Sequence, residues 1–117
     1  MIEQKELANR ICKVLDNKLA KDVTVIDVSK LTILTNNLII CTGRSPIHVK
    51  TLANELVKEM EKLGHKVLRT DGYPESRWIV LDFGDSIVHI FNEEERKFYN
   101  LEKLWSNGMN AVRYSEL

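Results

Sequence analysis

The chain has 117 residues, 44% hydrophobic and 29% charged, with 17 basic and 17 acidic side chains. That suffices for one hydrophobic core but not two, and no apolar run approaches the roughly 20 residues that span a bilayer. The zero net charge hides a gradient: residues 1–70 carry a balance of +4, residues 71–102 a balance of −5, and the final fifteen add +1. An acidic second half argues against wrapping RNA, whose affinity rests on phosphate neutralisation by Lys and Arg. It suits a basic protein partner, although a merely solvated acidic surface would look the same. The start, Met1 to Glu6, has mixed charge and no signal-peptide core. Cys12 and Cys41 form no metal or redox spacing, and Cys41 lies in an apolar run that predicts a buried, reduced thiol. The expectation is a cytoplasmic single domain without cofactor, metal or membrane segment.

In chain order, Leu7, Ile11, Val14, Leu15 and Leu19 fall at helical spacing and predict an amphipathic helix over residues 3–19. The β-rich run from Val23 to Val28 predicts a first strand, and Leu38 to Thr42 a central strand covered on both faces. Ser45 suits an N-cap and Pro46 the first helical position. A stripe of Val49, Leu52, Ala53, Leu56, Val57, Met60 and Leu63 then runs to Gly64, where the helix should stop. Val67 and Leu68 should open another strand, so residues 38–70 predict a βαβ crossover with parallel strands.

Trp78 to Phe83 and Ser86 to Phe91, joined by Gly84-Asp85, predict a hairpin with a two-residue type II′ turn. That turn sets Phe83 against Ser86, Leu81 against Val88, Val80 against His89, Ile79 against Ile90 and Trp78 against Phe91. Ile79, Leu81, Val88 and Ile90 then share an aliphatic face. Trp78, Val80, Asp82, Ile87, His89 and Phe91 share the other, an odd mixture for a plain solvent face. Asn92 should cap a short helix starting Glu93-Glu94-Glu95, with Arg96 and Lys97 toward its C-terminal end. A further short helix should run from Leu101 to Trp105, and the tail after Gly108 carries only a weak signal.

The run from Trp78 to Asp85, then Val88-His89-Ile90-Phe91, Arg96, Phe98-Tyr99 and Leu101 to Trp105, resembles the signature of ribosomal silencing factors of the Iojap family. Cys41-Thr42-Gly43-Arg44-Ser45 is similar to the family's earlier strand-to-helix motif, and Asp71-Gly72 to its acidic-Gly step. The likeness covers about Val25 to Trp105, and departs from the pattern at Asn36-Asn37, where the family usually has an Asp-Tyr pair. The resemblance implies an α/β fold, a mixed sheet with its helices mainly on one face, similar to nucleotidyltransferases. It also implies a protein that docks on the large ribosomal subunit through ribosomal protein L-fourteen and sterically blocks joining with the small subunit, so lowering translation. A part in large-subunit assembly and formation of a homodimer are further implications, with little direct nucleic-acid contact.

On that resemblance the partner-binding residues are Asp71, Gly72, Trp78, Asp82, His89, Phe91, Arg96, Tyr99 and Trp105, with Trp78 and Phe91 as the aromatic anchor. Each also has a plainer reading. Trp78 can be core, His89 a hydrogen-bonded structural histidine, and Tyr99 and Trp105 can pack their own helices down. Arg96 can pair with Glu93 or the Asn100 backbone. The rival function is a nucleotide-binding protein or enzyme, since Gly43-Arg44-Ser45 stands where nucleotidyltransferases hold a triphosphate. Such enzymes also need paired carboxylates for magnesium, and the strand around Arg69 and Asp71 offers one acid.

Overall fold

The computed structural model describes residues 4–114. Helix α1 spans Gln4–Asn17 and carries its apolar residues on one stripe, with Leu7, Ile11 and Leu15 almost fully buried. The expected start at residue 3 lies outside the described residues. Leu19 falls beyond the helix, with φ at +68° and its side chain exposed, so the stripe ends one turn earlier than its spacing suggests. Strand β1 (Lys21–Asp27) pairs antiparallel with β2 (Asn37–Thr42).

Helix α2 (Pro46–Lys62) begins as its residues require. Ser45 is extended and its hydroxyl accepts the His48 N–H at 3.1 Å, satisfying one of the donors a helix start leaves free. It ends with Gly64 at φ +88° and the His65 N–H bonded back to the Met60 carbonyl. Val49, Leu52, Ala53, Leu56 and Met60 are buried along it, so truncating any of the large ones to Ala should cost about 2–5 kcal/mol.

Strand β3 (Arg69–Asp71) is shorter than expected and begins two residues later; its three residues are exposed at the sheet edge. Strands β4 (Trp78–Asp82) and β5 (Ser86–Phe91) form the hairpin in the register expected, with Trp78 opposite Phe91 and Val80 opposite His89. Gly84 sits at φ +91°, which the first turn position demands. Helices α3 (Glu93–Tyr99) and α4 (Leu101–Trp105) follow, joined by Asn100 in the left-handed region. Strand β6 (Ala111–Arg113), unannounced by any periodicity, pairs antiparallel with β1.

The sheet order is β3-β4-β5-β2-β1-β6. Only β2 and β5 form a parallel pair. The crossover from β2 through α2 does return to a parallel strand, but β4 and β5 lie between β2 and β3. On the first face α1 and α2 bury Ile39, Cys41, Ile79, Leu81, Val88 and Ile90. The Cys12 and Cys41 thiols lie in this layer and burial pushes both up to about 12, which leaves them unreactive at neutral pH. Among the described residues no helix is long and apolar enough to cross a membrane.

Candidate docking face

Cross-strand partners point to the same side of a sheet, so three rows cross the second face. One row holds Trp78, Phe91 and Thr42; the next Asp71, Val80, His89, Ile40 and Thr24; the third Arg69, Asp82, Ile87, Leu38, Ile26 and Ala111. The face is covered unevenly. Over β2 and β1, Leu101 and Trp105 pack on Ile26, Leu38, Ile40 and Phe91 in a second apolar cluster. Over β3 and β4 the cover thins to the rim of α3, whose Tyr99 ring meets Trp78.

The roof is held by one side chain. Arg96 points inward from α3, its Nε donating to Glu102 Oε1 at 2.6 Å and its Nη1 and Nη2 to the hydroxyls of Thr42 and Thr24 at 2.9 and 3.3 Å. The guanidinium thus ties both short helices to strands β2 and β1. Asn100 caps α3 with its backbone N–H and starts α4, its side chain accepting the Lys103 N–H. Arg96, expected above either at a partner or in an internal pair, is spent inside the fold. It is an internal clamp, 13% exposed, and its acid is Glu102 rather than Glu93. Phe91 is corrected likewise: it is fully buried under the roof and supports the indole from below. Trp105 belongs to the same covered half.

Trp78 stands at the edge of that roof, half-buried. Its ring stacks on Phe91 with centroids 4.9 Å apart and leans on Tyr99 at 4.7 Å. Its indole N–H donates to His89 Nδ1 at 3.0 Å. Three neighbours and a hydrogen bond fix one ring orientation, with part of its surface left in water. Phe98 meets Tyr99 edge-on at 5.0 Å, and these two side chains are 78% and 47% exposed. His89 is mostly buried, and burial pushes its imidazole down to about 4, so the ring is neutral at physiological pH.

The acidic residues frame this half. Asp71 is exposed and lies 3.3 Å from Arg69. Asp82 is half-buried, and its carboxylate accepts the Gly84 N–H at 2.8 Å, which stiffens the turn. Gly72 contributes no contact of its own. It takes φ +81°, and a Cβ there would stand 2.0 Å from the Trp78 carbonyl oxygen. Only glycine lets this loop pass so close to the strand that carries the indole. Asn36, at the departure from the family pattern, donates to Asp85 at the hairpin tip.

Exposed aliphatic residues of the β1–β2 loop were missed by the sequence reading. Ile33 is fully exposed and Leu34 81% exposed, and Thr35 beside them is tied to the Gly84 carbonyl at 2.9 Å. A run of Leu31-Thr32-Ile33-Leu34 has no strand or helix period, and that mismatch was the available signal.

The nucleotide-site motif is used internally. The Arg44 N–H donates to His48 Nδ1 at 2.9 Å, the other His48 ring nitrogen is 2.9 Å from the Lys18 carbonyl, and Ser45 is spent on its cap. A phosphate at this helix start would have to displace these bonds. Among the described residues there is no group of three His, Cys, Asp or Glu side chains placed to hold a metal.

Fold and face together define a small mixed-sheet α/β domain whose second face is half roofed, with a wedged aromatic group at the boundary. Residues 1–116 match the family described as ribosomal silencing factor during starvation, and the chain belongs to that family. It is similar to "Ribosomal silencing factor RsfS" of Halalkalibacterium halodurans, 34% identical over 106 residues and covering 91% of both chains. The protein of the same name from Bacillus subtilis is 33% identical over 106 residues, 91% of this chain and 90% of that one. A crystal structure of a Chromobacterium violaceum protein superposes with a TM-score of 0.87 at 32% identity, covering 89% of this chain and 87% of the other.

Proposed function

We propose that this chain represses translation by docking on the large ribosomal subunit through ribosomal protein L-fourteen, and that its bulk there blocks the small subunit from joining. The contact surface is the open half of the second face: Trp78 at the centre, Tyr99 and Phe98 on one rim, Asp71 and Asp82 on the other. The protein acts by occupying space rather than by catalysis.

The observation that carries this reading is the state of Trp78. A large aromatic ring, held in one orientation and left partly in water, loses little conformational entropy when covered, and such residues dominate binding energy at protein interfaces. The family's name supports the ribosome as target. Residues 71–102, which supply most of the open half, carry the −5 balance that complements a basic ribosomal protein.

Mixing the protein with separated subunits on a sucrose gradient tests the proposal. The protein should travel with the large subunit, and large subunits loaded with it should yield fewer joined ribosomes. Migration with the small subunit, or with neither, contradicts it. Raising salt from low to physiological concentration should weaken binding only modestly; a steep decline would move the main contact to ribosomal RNA.

A further inference from the structure

The bond between Trp78 and His89 has a consequence for what the docking face can recognise. An indole N–H can only donate, so the nitrogen that faces it, His89 Nδ1 at 3.0 Å, must carry a lone pair. The proton of the neutral ring is therefore on Nε2. Ser86 Oγ is the one buried side-chain polar atom without a partner among the described residues. His89 Nε2, which makes no hydrogen bond there, accordingly reaches the surface. It does so in the row of Asp71 and Val80, next to the less covered strands β4 and β3.

We propose that His89 is a specificity-determining residue of the docking face, presenting a fixed Nε2–H donor that takes an uncharged carbonyl oxygen of the partner protein. This rests on the docking function proposed above. The acceptor is a carbonyl rather than a carboxylate because the ring brings no charge, and because Asp71 in its row and Asp82 in the next repel an acid. Its inability to accept at Nε2 rejects a partner that offers a Lys or Arg donor at that point. Burial lowers the proton affinity of the ring and so keeps it neutral, with one nitrogen free to accept. His89 thus does two things through its two nitrogens: Nδ1 holds Trp78 in place and Nε2 reads the partner.

Two substitutions separate the two nitrogens. In His89→Asn the amide oxygen occupies the place of Nδ1 and nothing reaches the place of Nε2; in His89→Gln the terminal amide nitrogen occupies the place of Nε2 and the indole loses its acceptor. With purified large subunits as the probe, His89→Asn should bind about tenfold more weakly, the cost of a partner acceptor left unmatched. Its Trp78 indole N–H resonance should stay close to that of the unchanged protein. His89→Gln should bind better than His89→Asn while the indole resonance moves. Nitrogen NMR of the free protein should show His89 Nε2 protonated and Nδ1 bare. Undiminished binding by His89→Asn, or a proton on Nδ1, overturns the proposal and leaves the docking face standing. Failure of the unchanged protein to bind large subunits, with Nε2 protonated as expected, overturns the docking function and this proposal with it.

Discussion

Phe91 and Trp78 face each other across the β4–β5 hairpin on the same side of the sheet, yet one is fully buried and the other keeps part of its ring in water. The strands beneath them are alike; the roof above them is not. Over β2 and β1 the second face is closed by Leu101 and Trp105, while over β4 and β3 it carries a polar and aromatic mixture that meets α3 at the Tyr99 ring on Trp78. The docking proposed above falls on the part of that face the roof leaves uncovered. The remaining aromatic surface then has to be held rigid by other means, here Phe91, Tyr99 and His89.

The largest effect expected from this contrast is on stability. Phe91→Ala should cost about 3–5 kcal/mol in chemical denaturation, as the removal of a fully buried aromatic does. Trp78→Ala should cost less than half of that, because part of the ring is already hydrated. Similar losses for the two would erase the distinction between the halves.

Next in size is the clamp. Arg96→Met keeps the aliphatic stem but leaves Glu102 and two threonine hydroxyls unmatched, and should cost about 2 kcal/mol, since Glu102 can recover some water. Amide exchange should quicken in α3 and α4 and hardly change in β2 and β5. Uniform acceleration across the sheet would show that the roof is not a separable layer.

The effect of His89 on stability is confined to acid pH. Burial holds its imidazole at about 4 against an ordinary 6.5. As pH falls from about 6.5 to about 4 the unfolded chain binds a proton that the folded chain refuses, so this group removes stability over that window and none above it. The difference in unfolding free energy between the unchanged protein and His89→Asn should narrow by about 3 kcal/mol across it. A difference that stays flat would mean the ring titrates freely and is not shielded at the roof edge.

Much of the fold was legible in local sequence, and the reasons are specific. Ser45, Pro46 and Gly64 mark α2 because caps act within a few residues. Gly84 fixed the hairpin register because a two-residue turn leaves no slack. What was not legible depended on distant partners. The partial roof over the indole side was one such feature, since Arg96 finds Thr42 and Thr24, residues 54 and 72 positions away. Local spacing offered only Glu93 or the Asn100 backbone for that cation. β3 was expected from Val67, yet Leu68 is largely exposed and only its backbone N–H joins β4, through the Asp82 carbonyl. β6 is three residues long and exists because β1 offers it an edge. Of the candidate site, Trp78, His89, Tyr99, Asp71 and Asp82 do lie together on or beside the open half, whereas Phe91, Arg96 and Trp105 hold up the covered one. Gly72 belongs to neither list, since it acts by having no side chain.

The most direct test of the central claim pairs two numbers on one variant: the affinity of Trp78→Ala for purified large subunits and its unfolding free energy. Affinity should drop by about thirtyfold or more, the loss of a typical hot spot of about 2 kcal/mol, in a protein that still unfolds cooperatively. Binding undiminished in a folded variant would show that the uncovered half of the sheet is not where the ribosome is met.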